Sequence, residues 1–135
     1  MTPSDTKFQL LDIILIDIIS FSKLGNQKQL ELLSNFNRLY KKAIELVSGG
    51  EQMIEAFIPT GDGFYILIKQ HHRGSGLLFA ISLKNMAEKF KREIPFFNGI
   101  RVAVHTGYLI PFVDVSGRTN YLGNGLNSCS RYADI

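Results

Sequence analysis

The sequence feature that most constrains the fold is a run of leucine and isoleucine near the start of the chain. It extends from Phe8 to Ile19, and within it only Asp12 and Asp17 are charged. Such a run is typical of a strand that is buried on both faces of a sheet. It is far short of the ~20 apolar residues that a membrane-spanning helix needs. We therefore expect a central strand that carries a carboxylate, Asp17, near its end.

A second carboxylate lies in the segment TGDGF, residues Thr60 to Phe64. This segment separates two apolar runs, MIEAFI and FYILI, and an aspartate flanked by glycines is typical of a β-hairpin turn. Taken alone, Asp62 reads as an ordinary turn residue and Asp17 as a strand-end aspartate that caps a loop. Two carboxylates at one sheet edge repel each other, and divalent cations with oxygen ligands would compensate that repulsion. The pair therefore favours a metal site.

Two helices are expected between and after these strands. Asn26 is the predicted N-cap of the first helix, which apolar residues at helical spacing extend to Val47. Gly49 and Gly50 are expected to end it. A second amphipathic helix runs from about Phe79 to Ile94, where Pro95 follows.

The rest of the chain predicts further strands and a last helix. Ile100 to His105 alternates as a strand does, and Tyr108 to Val113 continues extended, with Pro111 indicating an edge or a bend. Asp114 to Asn120 reads as a loop, and Gly123 is expected to open a final helix. The order βαββαβ predicts an α+β, ferredoxin-like fold, in which helices pack on a mostly antiparallel sheet.

Length and composition fit a single domain, residues 1–135, of an ordinary globular protein. Hydrophobic residues make up 45% and charged residues 20% of the chain. The net charge of +3 favours anionic ligands only mildly, and it does not predict a nucleic-acid partner. The single cysteine, Cys129, excludes an internal disulfide and a cysteine-rich zinc site. With no segment that predicts a membrane span, we expect a cytoplasmic protein.

Four stretches together resemble the class III adenylate and guanylate cyclases. LIDIISFSKL resembles the first metal-binding strand of that family, usually close to FADIVGFT, and TGDGFYILI resembles its second metal aspartate in a hairpin. RVAVHTG resembles its RIGIHTG strand, and YLGNGLNSCSRYADI resembles its last signature. The diguanylate cyclases share the palm-like fold, but their Gly-Gly-Asp/Glu-Glu-Phe signature differs from TGDGF. They also lack the helix with asparagine and arginine four residues apart.

The resemblance implies an activity and a set of metal ligands. The family cyclises a nucleoside triphosphate by in-line attack of the ribose 3′-oxygen on the α-phosphorus, which expels pyrophosphate. Asp17 and Asp62 match the carboxylates that hold two Mg²⁺ or Mn²⁺ ions, and the backbone carbonyl of Ile18 would be a further ligand. Such ions lower the pKa of the attacking hydroxyl and stabilise the leaving group.

The resemblance also implies residues that bind and activate the nucleotide. Asn127 and Arg131 are four residues apart, so they project from one helical face, where arginine would spread charge on the α-phosphate and asparagine would orient the ribose. Outside this motif they would equally suit a solvated helix face. Gly61 and Phe21 match positions at the nucleotide, although Phe21 could also be a core aromatic.

Three features depart from the family pattern. Purine selection rests on a lysine or glutamate at the position of Ile58, and its partner is an aspartate, cysteine or threonine at the position of Asn120. The family domain also continues beyond the equivalent of Ile135 with strands and a lysine that grips the triphosphate. We therefore expect the C-terminal part of the family domain to be missing from this chain.

These departures admit two interpretations. The pocket could suit another base, such as the pyrimidines from which some bacterial cyclases make cyclic UMP or CMP in phage defence. Alternatively, the chain is a catalytically degenerate module that dimerises or senses a nucleotide. Retention of Asp17, Asp62, Asn127 and Arg131 favours an enzyme. The resemblance further implies a homodimer whose active sites combine residues of both chains.

Overall fold

The computed structural model describes residues 7–47, 50–69, 74–126 and 129. Within these ranges an antiparallel sheet of five strands, in the order β2-β3-β1-β4-β5, carries two long helices. The strands are β1 (Gln9–Ile18), β2 (Ile54–Pro59), β3 (Gly63–Lys69), β4 (Ile100–Val113) and β5 (Thr119–Leu122). The helices are α1 (Asn26–Glu45) and α2 (Ser75–Glu93). Short 3₁₀ turns occupy Phe21–Lys23 and Gly50–Met53.

Strand β1 is central, as its apolar run predicts. It pairs with β3 along one side and with β4 along the other, both antiparallel. Its side chains alternate between two buried clusters, so that Ile14 and Ile16 pack on one face and Ile13 and Leu15 on the opposite face. The element order and this pairing confirm the predicted α+β, ferredoxin-like arrangement.

Both helices cover the same face of the sheet, which we call the helix face. Their apolar stripes enclose a core with the even-numbered residues of β1, and Phe79 and Leu83 of α2 are fully buried there.

The prediction of Asn26 as N-cap is wrong by one residue, because Gly25 is the N-cap and Asn26 is the first helical residue. Helix α1 ends at Glu45, before the predicted stop, and Gly49 lies outside the described ranges. Helix α2 begins at Ser75, before the predicted Phe79, and ends at Glu93, one residue before the predicted Ile94.

The opposite face, which we call the open face, carries a second buried cluster beneath a β-arm. This arm consists of residues 108–122, the second half of β4 followed by β5. The Tyr121 hydroxyl donates a hydrogen bond to Glu55 Oε1 at 3.3 Å, so the arm reaches from β4 across the sheet to β2. The prediction of a loop from Asp114 to Asn120 is therefore wrong at its end, where β5 begins. The cluster comprises Leu11, Ile13, Leu15, Leu67, Ala103, Leu109, Tyr121 and Cys129.

Neither α1 nor α2 is long and apolar enough to cross a membrane, a finding that covers the described residues only.

The charged Asp12, which interrupts the run of β1, lies on the helix face. Its carboxylate accepts a hydrogen bond from Thr106 Oγ1 at 2.7 Å, and this bond compensates a charge that would otherwise be costly in the sheet.

Gly63, the first residue of β3, permits an unusually close approach to β1. A Cβ atom built there would meet the carbonyl oxygen of Ile16 and lie 2.8 Å from its carbonyl carbon and 3.0 Å from the Cα atom of Asp17. These are backbone atoms of the central strand, so they cannot rotate away as a flexible side chain can. Only glycine fits between the hairpin and the end of β1.

We predict that Gly63→Ala lowers the free energy of unfolding by about 3 kcal/mol, because the added methyl group forces the strands apart. Urea denaturation followed by circular dichroism measures the change. Gly61→Ala is the matched control, because a Cβ atom at Gly61 meets no atom within 4 Å. Equal stability of the two variants would contradict the steric argument.

Candidate metal and nucleotide site

The structure brings Asp17 and Asp62 to the same end of the sheet. Asp17 lies directly opposite Gly63 in the pairing of β1 with β3, and Asp62 is the residue before Gly63. The backbone N–H of Ile18 donates to the carbonyl oxygen of Asp62 at 2.8 Å, which fixes the hairpin tip against the end of β1. Two carboxylates from distant parts of the sequence are thereby held on adjacent segments.

Asp17 also faces a cation on its other side. Arg101 is its partner in the pairing of β1 with β4, and Arg101 Nη1 lies 3.9 Å from Asp17 Oδ2. The Asp17 side chain is 30% exposed and that of Arg101 is 54% exposed, so the ion pair is partly solvated and contributes at most about 1 kcal/mol. Asp62 is likewise only partly buried. Both carboxylates therefore remain accessible to a cation from solvent.

The chain leaves the site through a tight turn. Ser20 has φ 59° and ψ 25°, a left-handed conformation that is uncommon for a residue other than glycine. Its carbonyl accepts a hydrogen bond from the N–H of Lys23 at 3.2 Å, which closes the turn directly after β1. In an extended strand the N–H and C=O of one residue point the same way, so the Ile18 carbonyl is directed, like its N–H, toward the hairpin.

Phe21 lies on the helix face of the sheet. Its ring packs against the helix-face core, and its carbonyl accepts a hydrogen bond from Gln29 Nε2 at 3.1 Å. This is the core-aromatic role that the sequence left open for it. Gly61 lies in the exposed hairpin turn, next to Asp62.

The two positions expected to contact the base lie on opposite edge strands. Ile58 of β2 packs against the open-face cluster, in register with Tyr65 of β3. Asn120 of β5 is partly buried, and its Oδ1 accepts a hydrogen bond from the N–H of Tyr121 at 2.9 Å. The elements that carry them meet where Tyr121 contacts Glu55, three residues before Ile58. Burial, followed by the nearby charge of Glu55, raises the pKa of Tyr121.

The last helix begins at Asn124 over the open face. The Tyr65 hydroxyl donates to the carbonyl of Leu126 at 3.1 Å, which ties the start of this helix to β3. Cys129 is fully buried, and burial raises the pKa of its thiol to about 11. It is a packing residue, as the sequence suggests. Asn127 and Arg131, the predicted catalytic residues, lie outside the described residues.

Sequence reasoning missed two residues of this region. Arg101 is the cationic partner of Asp17. Tyr65 connects β3, the second strand of the hairpin that carries Asp62, to the last helix. Both stand within the motifs already recognised, Tyr65 in TGDGFYILI and Arg101 at the start of RVAVHTG. Only the strand register shows which groups they face.

The donor set at this end of the sheet suits a hard cation. Two carboxylates and a backbone carbonyl offer only oxygen atoms, which magnesium and manganese prefer. Among the residues that the structure describes, no group of three or more histidine, cysteine, aspartate or glutamate side chains could hold a metal ion. The Asp17 and Asp62 pair is smaller than such a group, and it stays the metal site that the sequence predicts.

Solved structures of nucleotide cyclase domains share this fold. The chain superposes on a bacterial light-regulated adenylyl cyclase with a TM-score of 0.76 at 13% identity, over 96% of this chain and 40% of that one. It matches the catalytic core of a rhodopsin-guanylyl cyclase in complex with ATPαS with a TM-score of 0.73 at 17% identity, over 98% of this chain and 76% of that core. A guanylate cyclase domain from Catenaria anguillulae in complex with GTP gives 0.72 at 17% identity, over 94% and 73%.

These matches show that the chain has the fold of adenylyl and guanylyl cyclase domains. The chain spans 40% of the length of the light-regulated adenylyl cyclase and about three quarters of the two guanylyl cyclase domains. No protein-family model and no curated protein sequence matches the chain. The similarity is thus carried by three-dimensional structure and by the short motifs at the site.

Proposed function

We propose that this protein is a nucleotidyl cyclase of class III, which converts a nucleoside triphosphate to a 3′,5′-cyclic nucleotide and pyrophosphate. The observation that carries the proposal is the juxtaposition of Asp17 and Asp62 at one end of a cyclase-fold sheet. Two of the structurally similar cyclase domains are complexes with ATPαS and with GTP, which supports a triphosphate as substrate.

The residues of this chain divide the chemistry between them. Asp17, Asp62 and the Ile18 carbonyl would hold two divalent cations, which activate the ribose 3′-hydroxyl and neutralise charge on the triphosphate when bound. Arg101 neutralises Asp17 in the absence of a cation, at a distance of 3.9 Å. Because this ion pair is partly solvated, a divalent cation can replace it at little cost.

Two further residues act on the nucleotide in this proposal. Arg131 would donate hydrogen bonds to the α-phosphate, where negative charge grows in the transition state, and Asn127 would orient the ribose. The helix that the sequence predicts for them is described from Asn124, on the face of the sheet toward which Asp17 projects. The hydrogen bond from Tyr65 to Leu126 would hold that helix in place relative to the hairpin.

We predict that Asp17→Asn and Asp62→Asn each abolish formation of cyclic nucleotide. The test incubates the protein with ATP, GTP, CTP or UTP and manganese and identifies the products by mass spectrometry. Each variant should lose affinity for Mn²⁺, measured by isothermal titration calorimetry, while its free energy of unfolding stays within about 1 kcal/mol of wild type.

Arg101→Lys serves as the matched control for this prediction. It keeps the positive charge beside Asp17 and leaves both carboxylates unchanged, so it should retain activity and Mn²⁺ binding. Wild-type turnover in either aspartate variant would overturn the metal assignment. Cyclisation by none of the four triphosphates would favour the alternative of a degenerate cyclase domain that senses nucleotides or dimerises.

The proposed base preference rests on the apolar side chain of Ile58. An isoleucine can neither donate to nor accept from a base edge, and it packs against the open-face cluster instead. Asn120 uses its Oδ1 on the N–H of Tyr121, which leaves its amide N–H groups as donors. Guanine, uracil and cytosine offer carbonyl oxygens and adenine offers ring nitrogens as acceptors, so this amide selects none of the four bases sharply.

We predict weak discrimination between ATP and GTP, or a preference for a smaller base. An apolar wall contributes only about 1–3 kcal/mol to selection, whereas a hydrogen-bonded base edge selects far more sharply. Values of kcat/KM for the four triphosphates measure the preference. A sharp preference for ATP would contradict the prediction, and a pyrimidine product would link the chain to the cyclic UMP and CMP made in phage defence.

A homodimer with shared sites is the proposed assembly. The β-arm exposes several large apolar side chains, among which Tyr108 is 60% and Val113 70% exposed. Apolar surface of this kind marks interaction sites in soluble proteins. A two-fold axis beside the open face would place the Asp17 end of one chain opposite the last helix of its partner and generate two equivalent sites.

We predict that Asp17→Asn and Arg131→Ala, each inactive alone, regain activity when mixed. In a mixed dimer one of the two sites contains both an intact Asp17 and an intact Arg131. Random pairing makes about half of the dimers mixed, so recovered activity should approach about a quarter of wild type. Absence of recovery, with mixed dimers observed by native mass spectrometry, would place all catalytic residues in one chain.

A further inference from the structure

A row of aromatic rings crosses the helix face beside the hairpin that carries Asp62. The ring of Phe36 in α1 lies 5.2 Å from that of Phe64 in β3, measured between ring centroids. The Phe57 ring in β2 lies 5.8 Å from Phe64 and 5.0 Å from Tyr40 of α1. The planes of these pairs meet at angles between 64° and 72°, the edge-to-face geometry that aromatic pairs prefer. The rings thus connect α1 to both strands of the hairpin.

A pocket of about 450 Å³ lies along this row of rings. A volume of this size and a mainly aromatic lining are typical of sites that bind small molecules. Phe57 is 46% exposed, so aromatic surface is available for a ligand to cover. The side chains that line the pocket include Phe36, Tyr40, Lys41, Phe57, Pro59 and Phe64.

The pocket is distinct from the candidate metal and nucleotide site. Its lining residues lie well inside the described ranges, on α1 and on the hairpin. Asp17 projects toward the open face, and the C-terminal residues Tyr121 and Leu126 pack there as well, on the other side of the sheet. Only the hairpin is common to both sites, because Pro59 and Phe64 border the turn that carries Asp62.

The pocket contains a hydroxyl group that lacks a hydrogen-bond partner. The Tyr40 hydroxyl oxygen is buried and bonds to no other group among the described residues. Burial, followed by the charge of Glu51, raises the pKa of Tyr40 to about 12, so the hydroxyl stays protonated and can donate. Burying a hydroxyl without a partner is unfavourable. An acceptor on a bound ligand would supply the missing partner.

The charge at the pocket is positive. Lys41 is exposed and lines it, and no carboxylate is among the lining side chains that the structure describes. In the same described part of the chain, Lys41 forms no ion pair. Glu45, one helical turn further along α1, and Glu51, near Tyr40, are exposed and lie outside the lining. An anion beside Lys41 would therefore displace no existing partner.

We propose that this pocket binds a small planar aromatic carboxylate. Its ring would lie against Phe57 and Phe64, and its carboxylate would accept hydrogen bonds from the Tyr40 hydroxyl and the Lys41 ammonium group. Such a ligand matches both the aromatic surface and the two donors. An aliphatic acid would match only the donors, and a neutral aromatic molecule would match the surface without the charge.

The test measures binding of 2-naphthoate to the full 135-residue chain by isothermal titration calorimetry. The buffer contains EDTA, so that no divalent cation at Asp17 and Asp62 can hold the carboxylate. We expect saturable binding at a ratio of one to one. The neutral 2-naphthamide should bind about threefold more weakly or worse, because it lacks the charge that attracts Lys41. Cyclohexanecarboxylate, which has no aromatic ring, should not bind detectably.

Three variants locate the binding site. Phe57→Ser removes an aromatic wall and Tyr40→Phe removes the donor hydroxyl, and each should weaken binding of 2-naphthoate roughly tenfold. Lys41→Gln should weaken it about threefold, since the lost ion pair is exposed. Lys42→Gln is the matched control, because Lys42 is the next exposed lysine of α1 and borders the groove between α1 and α2 instead. This variant should bind as wild type does.

The inference is overturned if 2-naphthoate does not bind, or if any of the three pocket variants binds it as tightly as wild type. Equal affinity for cyclohexanecarboxylate would also overturn it, because the aromatic surface would then contribute nothing. Circular dichroism verifies that each variant is folded. Tyr40→Phe and Lys41→Gln, which preserve the ring packing, decide the question if Phe57→Ser does not fold. The result does not depend on cyclase activity, because the titration contains neither a nucleotide nor a free divalent cation.

Discussion

The whole site depends on one contact between backbones, at the point where the hairpin meets the end of β1. The hydrogen bond from Ile18 to Asp62 and the absence of a side chain at Gly63 hold two acidic segments together that would otherwise repel each other. Backbone atoms have no rotamers through which to escape, so the main-chain positions of Asp17 and Asp62 are fixed relative to each other. Arg101 lowers the remaining electrostatic cost from the other side, and it does so without burying the pair.

The two faces of the sheet have separate roles because β1 is apolar on both. The helix face is covered by α1 and α2 and supplies most of the buried side chains. The open face has a smaller cluster, closed by the β-arm through Tyr121 and by the last helix through Cys129. A polar site can therefore lie at the end of β1 without interrupting the main core.

The sequence predicted the central strand, the hairpin, both long helices and the fold class, because each has strong local periodicity or a clear turn. It did not predict β5, whose four residues include no apolar alternation and are ordered by pairing with β4. Nor could it predict the partners of Asp17 and Tyr65, since Arg101 and Leu126 are distant in sequence and depend on strand register. The N-cap of α1 shifted by one residue because Gly25 and Asn26 both suit that position.

Ile58 links the choice of base to the stability of the open face. Its side chain belongs to the periphery of the apolar cluster that includes Leu15 and Leu67, while its position in the hairpin is the one expected at the base. A lysine or glutamate there would gain a hydrogen bond to a purine, but it would have to direct its charge away from that cluster. Isoleucine contributes packing whether or not a nucleotide is bound. An uncharged residue at position 58 is therefore compatible with the Asp17 and Asp62 pair, because Ile58 contributes its side chain to the open-face cluster and Asp62 lies in the hairpin turn that follows β2.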